Sequence, residues 1–326
     1  MTRGKQIFVV ISVLLIAIGF GLVFYGYQKS QDKKNSSNTV LSVLQNITNP
    51  SGFKPADLSK CDDWKSQNCT KRIRFIQTND NGEPSLQGRN YAILLDPTSP
   101  NLDFKVTVPL SNEIYAKNSE GKLVKNYQSK TFEQLINDQN SLLDGKNPLA
   151  AINSDYIDQL NNPQGLNISR GVEYSGDFAS LRSSFAISGG EFENRKASIQ
   201  IGKKPDLNDN FNTVGGNGRF YSNGVFEDIC TKLGTYACEE STNRSMAAIT
   251  NTGKVIFLVH QSDGTGKLVP DKFDDLLEGI AKKFDLGTIQ DALLFDGGKS
   301  PAIMYDSKIY TQNGGQIGSA FLIYEV

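Results

Sequence analysis

Asp291-Ala-Leu-Leu-Phe-Asp296-Gly297-Gly298-Lys299-Ser300 is the stretch on which the reading of this chain turns. Ala292 to Phe295 is a short continuous apolar run, the pattern of a strand covered on both faces. It ends on a carboxylate followed by paired glycines, which let the backbone turn sharply and approach a ligand. Asp296 is thereby presented at a strand end. Gly298-Lys299-Ser300 matches the last three positions of a phosphate-binding P-loop, but Leu293 stands where that motif needs its first glycine. Pro301 and the strand-like Ala302-Ile-Met-Tyr305 then replace its helix. The P-loop is rejected, and the competing bland reading is a tight hairpin turn capped by Asp296.

Working outward, two helices are predicted. Thr131-Phe-Glu-Gln134 reads as a capping box, followed by an apolar stripe of Phe132, Leu135, Ile136 and Leu143 and a stop at Gly145. Asp271 caps the second, which carries Phe273, Leu276, Leu277, Ile280 and Phe284 at helical spacing and ends at Gly287. Each is followed by an apolar strand and a polar turn, Leu149 to Asp155 in one case and Ala292 to Gly298 in the other. This symmetry suggests a degenerate repeat that brings Asn153, Asp155 and Asp296 to one cleft. The rest reads as hairpins, clearest where Ser245–Thr250 and Lys254–Val259 flank Asn251-Thr252-Gly253.

Five blocks in order across residues 70 to 326 resemble the phosphodiester glycosidase family. They are Tyr91 to Val106, Ala150-Ala-Ile-Asn153-Ser-Asp155-Tyr, the glycine-rich Asn212 to Gly224 with Gly215 and Gly216, Arg244 to Val259, and Asp296-Gly-Gly-Lys-Ser. The resemblance implies hydrolysis of a sugar-1-phosphodiester, with no cofactor and no metal. The chain departs from the family pattern at Ser154 and Asp155, where glycines are usual, at Lys299, where a small residue is usual, and at Ser245, where threonine is common. A changed substrate or a lost activity are the two consequences open at this point. The fold expected is α+β: mixed, largely antiparallel sheets with a few flanking helices, in a single domain behind an N-terminal transmembrane helix.

The phosphate leaving group of such a substrate needs little protonation, so the site must hold an anion and support a cation-like sugar. Asp296 and then Asp155 are the candidate catalytic carboxylates, acting as base or nucleophile at the anomeric carbon. Arg244, whose planar fork can take two oxygens and whose place matches the family's arginine, is the candidate phosphate clamp. Lys299 and the amides of Gly297, Gly298, Gly215 and Gly216 are its candidate assistants; Arg170 and Arg182 rank below it. Asn153 is the candidate for orienting a sugar hydroxyl or acetamido group. His260, the sole histidine, is either an acid–base group or a plain strand-end residue.

The sequence has 326 residues and a formal net charge of -1. With no basic cluster it gives no sign of a nucleic-acid partner. Ile7 to Tyr27 is uncharged and, at about 1.5 Å per residue, extends about 31 Å, enough to cross a bilayer. A cleavable signal peptide is the rival reading. An uncleaved anchor is preferred because the apolar run is long and no small-x-small site follows it. The expected layout is a cytoplasmic N-terminus at 1–6, an anchor at 7–27, a flexible linker at 28–39, an extension at 40–70 and a glycosidase-like domain at 71–326, outside the cell membrane, with a bacterial source preferred. Cys61 with Cys69 and Cys230 with Cys238 read as two local disulfides. Zinc is the competing interpretation, disfavoured by the spacing. Two functions follow: a membrane-anchored extracytoplasmic hydrolase of a sugar-phosphodiester in envelope or exopolysaccharide material, or a non-catalytic glycan-binding envelope protein with a decayed site.

Overall fold

Continuous apolar runs and aromatic residues dominate the strands, and the structure shows what covers them on both sides. The computed structural model describes residues 73–117, 119–175, 182–202, 208–227, 242–262 and 271–326. The expected anchor at 7–27, the linker, the 40–70 extension, Cys61, Cys69, Cys230, Cys238 and the Asp271 side chain lie outside the described residues. Among the described residues no helix is long and apolar enough to cross a membrane.

The first strands are β1 (Ile73–Thr78), β2 (Asn90–Leu95), β3 (Leu102–Thr107), β4 (Leu110–Lys117) and β5 (Leu123–Tyr127). Helix α1 (Phe132–Ile136) precedes β6 (Ala150–Asn153), β7 (Asn167–Ser169), β8 (Val172–Ser175), β9 (Ser183–Ile187), β10 (Ala197–Ile201), β11 (Asn212–Gly215), β12 (Arg219–Ser222) and β13 (Val225–Phe226). Then come β14 (Arg244–Thr250), β15 (Val255–His260), α2 (Asp271–Lys283), β16 (Ile289–Leu294), β17 (Ala302–Tyr305), β18 (Lys308–Gln312) and β19 (Ala320–Glu325).

These strands form a seven-stranded sheet, β1-β2-β15-β14-β16-β12-β13, two five-stranded sheets, β10-β9-β11-β7-β8 and β18-β17-β6-β19-β3, and a β4-β5 ribbon. The registered pairings in them are antiparallel. With two α-helices among the described residues, one of five residues, the architecture is β-rich rather than the expected α+β.

The seven-stranded sheet is buried on both faces. Met246, Ala248, Ile256 and Leu258 pack against Phe273, Leu276, Leu277 and Ile280 of α2, whereas Phe257 of β15 points the other way. There it meets Phe185 of the second sheet (centroids 5.0 Å) and Phe321 of the third (5.3 Å), so one phenylalanine from each sheet fills the centre. Helix α1 covers the outer face of the third sheet through Phe132, Leu135 and Ile136 against Met304, Leu322 and Tyr324.

Three expectations need correcting. The Thr131 capping box forms, but α1 stops at Asn137 rather than running to Gly145, because the next segment is rich in side chains that bond to the backbone: the Ser141 hydroxyl donates to Leu135 O at 2.6 Å. Helix α2 ends at Lys283 in a Schellman closure, with Leu286 N donating to Ala281 O (2.9 Å) and Asp285 taking the left-handed capping position (φ 52°), two residues before Gly287, which is itself at φ 95°. Finally, Tyr91 to Val106, the block whose family resemblance implies an opening strand pair, supplies β2 and β3, which belong to different sheets.

Candidate active site

The ends of β6 and β16, strands of two different sheets, meet. Asp296 N donates to Ser154 O (2.8 Å), and the Asn153 amide donates from Nδ2 to Asp296 O (3.0 Å) while its Oδ1 accepts from Ala302 N (3.0 Å). The structure thus brings Asn153, Asp155 and Asp296 together, although they are far apart in sequence. Asn153 is fully buried and its amide is engaged with backbone. It straps the acid turn in place, which replaces the expected role of orienting a sugar group.

The acid turn is fixed from its other side by Asn243. Gly298, at φ 68°, donates its N–H to Asn243 O (3.0 Å), and Asn243 Nδ2 returns a bond to Gly298 O (2.7 Å). Asn243 Oδ1 also accepts from Ser262 N (2.8 Å), tying the turn to the end of β15. Asp296 itself is half-buried. Burial raises its carboxyl, the nearby Asp155 charge raises it further, and hydrogen bonds from Ser300 and the Gly297 amide together with the Arg182 charge oppose them; the result is about 7.

Asp155 is different. It has no exposed surface, and its Oδ2 accepts from Gly165 N (2.7 Å) and Asn167 Nδ2 (2.7 Å) while Oδ1 accepts from Tyr156 N (2.8 Å). Arg182 Nη1 stands 3.8 Å from Oδ1. Burial outweighs these bonds and pushes the carboxyl up to about 6. Gly215 exists to make room for it: a Cβ there would lie 2.7 Å from Asp155 Cγ. Gly216 likewise lets the chain lie against β16, where a Cβ would fall 2.4 Å from Leu293 Cδ1, and its N–H is bound to Ser183 O (2.9 Å). These two glycines are close-packing positions rather than the expected anion-binding amides. Ser154 is also internal, its hydroxyl 2.8 Å from that of Ser319.

Two further groups stand beside the carboxylates. The Tyr156 hydroxyl donates to Phe295 O (3.1 Å) and accepts from Asn217 Nδ2 (3.3 Å), and the phenol is pushed up to about 12, by burial first and by the Asp296 charge second. Over its ring, 5.0 Å from the centroid, lies the Arg182 guanidinium, which also bonds to Gln164 Oε1. Tyr156 directly follows the Asn153-Ser-Asp155 turn, which is the one sequence signal that pointed at it. Arg182, an arginine before an apolar strand, is offered by the sequence only as a weaker candidate for the phosphate clamp.

Arg244 opens β14 and is buried, with Nη1 3.9 Å from where a Cβ on Gly297 would stand. His260 lies directly across the ladder from Arg244 and is buried, its Nδ1 2.8 Å from Asn90 Oδ1, and Asn90 in turn donates to Asp80 Oδ1 (3.0 Å). The histidine belongs to a polar chain along β2 and β15. The side chain of Lys299 is exposed, and its carbonyl accepts from Gly315 N (2.9 Å). Arg170 is elsewhere, paired with Asp103 at 2.8 Å. Among the described residues no group of three or more His, Cys, Asp or Glu side chains is placed to hold a metal ion.

Fold and site together define a class: an antiparallel β protein in which an Asp-Gly-Gly turn and two arginines gather where the sheets meet. Residues 146–324 match the model of the phosphodiester glycosidase family, and the chain belongs to that family. No curated protein matches it. Among solved structures it is similar to the zebrafish N-acetylglucosamine-1-phosphodiester alpha-N-acetylglucosaminidase catalytic domain auto-inhibited by pro-peptide, with TM-score 0.51 and 14% identity over 78% of this chain and 82% of that one. It is equally similar to a hypothetical protein from Synechocystis, with TM-score 0.51 and 13% identity over 78% of this chain, and it spans 61% of that protein. At these identities the likeness is one of fold.

Proposed function

We propose that this protein hydrolyses a sugar-1-phosphodiester, of the N-acetylglucosamine type named for the zebrafish structure, with Asp296 as the acting carboxylate. The observation that carries the proposal is the state of Asp296: a half-buried acid at a strand end, held by burial at about 7 beside two arginines. A carboxylate with that proton affinity is a stronger base than an ordinary one and is still about half ionised at neutral pH. Water attacks the anomeric carbon, its proton passes to Asp296, the C1–O bond breaks and the phosphate monoester leaves with the bonding pair. Arg244, facing the acid turn, holds the phosphate oxygens.

Asp155, offered above as a second catalytic carboxylate, has no surface for substrate to reach, and we assign it a supporting role. The membrane anchor at 7–27, the disulfides Cys61–Cys69 and Cys230–Cys238, and action on envelope or exopolysaccharide material outside a bacterial membrane remain parts of this proposal that rest on sequence alone.

The test is release of free sugar from a synthetic N-acetylglucosamine-1-phosphodiester by the purified protein, with label from ¹⁸O-water entering the sugar rather than the phosphate. Sugar binding without turnover favours the non-catalytic glycan-binding reading, and label in the phosphate overturns the assigned bond cleavage.

A further inference from the structure

Asp155 and Arg182 are more closely engaged with each other and with Tyr156 than a packing role requires. The Asp155 carboxylate is sealed from solvent, seated against Gly165 and Gly215, and fixed by three N–H donors. Arg182 is held on three sides: by Asp155 Oδ1 at 3.8 Å, by Gln164, and by the Tyr156 ring. Tyr156 in turn bonds through its hydroxyl to the carbonyl of Phe295, the residue before Asp296. Side chains and backbone therefore link Asp155 to Asp296 without a break.

We infer that Asp155 and Arg182 are positioning residues that act as a pair: the sealed carboxylate anchors the guanidinium over Tyr156, whose hydroxyl is bonded to the residue before Asp296, so that two opposite charges are held beside the acid turn. This rests on Asp296 being the acting carboxylate. Among the described residues, the charged and titratable groups that face the acid turn from the surrounding elements are few. Asp155 and Tyr156 approach from the segment after β6, Arg182 from the start of β9, Arg244 from the start of β14, and Lys299 follows in the turn itself, while His260 at the end of β15 is bonded to Asn90. Asp155 and Arg182 are the two whose charges bear on Asp296 with opposite sign, the first raising it and the second lowering it.

A pair that served packing alone, too far from the acid turn for its charges to be felt, would not move the Asp296 titration in opposite directions. The full-length protein labelled with ¹³C at aspartate carboxyls is titrated by NMR, with Asp296→Asn used to assign the Asp296 signal. Asp155→Asn is expected to lower the Asp296 midpoint and Arg182→Gln to raise it, each by about one pH unit, the usual size of a single neighbouring charge. Arg182→Lys should return the midpoint towards the wild-type value. Shifts of the same sign, or no shift, overturn the inference. If Asp155→Asn fails to fold for want of its hydrogen bonds, Arg182→Gln and its lysine rescue still decide the matter. The readout needs no turnover. Opposite shifts in a protein inert on every sugar phosphodiester leave the inference standing and remove the assigned reaction, whereas turnover that depends on Asp296 with unmoved midpoints removes the inference alone.

Discussion

The two ends of the seven-stranded sheet treat a buried aspartate in opposite ways. At one end Asp96, just beyond β2, is 1% exposed, and burial alone would raise its carboxyl. Lys254 Nζ at 2.6 Å and the hydroxyl and amide of Thr98, at 2.7 and 3.0 Å, outweigh burial and hold it below the ordinary range. At the other end Asp296 is more exposed, yet it is raised to about 7, because burial raises it, the Asp155 charge adds to that, and the Arg182 charge that opposes them is shared with Asp155. Burial is common to both. On the proposed function, what separates the structural acid from the reactive one is whether the surroundings complete the charge or leave it partly uncompensated.

The comparison is tested most severely by replacing each acid with its amide. Asp296→Asn should cut kcat by about 10²–10⁴-fold, the usual contribution of a positioned base, while the protein stays folded. Asp96→Asn should leave kcat near wild type and cost about 2 kcal/mol of stability, because Lys254 loses its partner. Steady-state kinetics and urea unfolding on the two variants read both quantities, and a loss of activity from Asp96→Asn as large as that from Asp296→Asn would erase the distinction.

The next largest effect separates charge from geometry at the cation. Arg244→Lys keeps the charge and loses the fork, so kcat/KM on a sugar phosphodiester should fall roughly ten- to a hundredfold, about 1.4 to 2.7 kcal/mol. An uncharged aryl glycoside of the same sugar should show much less. Equal losses on both substrates would mean that Arg244 does not hold the phosphate, and Arg182 would then be the cation to examine.

The pattern around these residues also shows how far the sequence could be read. Asp296 and the β14–β15 hairpin were legible because each is a local signal: a carboxylate and two glycines ending an apolar run, and alternating segments across a glycine turn. The stripe on α2 was legible for the same reason. Gly215 and Gly216 were read as ligand-facing because the same residue serves a close approach to a ligand or to a neighbouring strand, and only the packing of Asp155 and Leu293 against them decides between the two. Asn153 looked like a sugar contact because an amide's partners are invisible until β17 is placed beside β6. Asn167 carries no local sign of its partners, yet it is fully buried and donates to Asp155. Arg182 and Tyr156 matter through tertiary contacts with Gln164, Asn217 and Phe295, which no periodicity reports.

A pH experiment carries the comparison into stability. Asp296 has a folded value above its ordinary 3.8, so its contribution is fully present below about pH 4 and is lost as pH rises towards 7; Asp155, raised to about 6, acts in the same sense. At about 1.4 kcal/mol per unit, discounted for the exposed part of Asp296, that acid accounts for a loss of about 2 kcal/mol. Asp96, held below 3.8, has the reverse sign: its contribution is present above about pH 4 and lost as pH falls further. Urea unfolding at pH 4.5 and 7.5 should show wild type less stable at the higher pH. Asp296→Asn should shrink the difference by about 2 kcal/mol and Asp96→Asn should leave it unchanged; identical differences in all three proteins would contradict the assignment.

The smallest expected effect concerns Lys299, the residue that departs most visibly from a small side chain in the acid turn. Its side chain is exposed, whereas Arg244 is buried, so the two cations differ as the two aspartates do. A solvated ammonium interacts weakly and is screened over about 8 Å at physiological salt, whereas a buried guanidinium is not. Lys299→Ala should therefore lower kcat/KM by no more than about threefold at physiological ionic strength, with the deficit growing as salt is removed and falling on KM rather than kcat. Measuring the salt dependence of kcat/KM for Lys299→Ala beside Arg244→Lys distinguishes the two roles. A Lys299 effect that is large and indifferent to salt would place its ammonium on the substrate phosphate itself, and the difference between the exposed and the buried cation would no longer order the site.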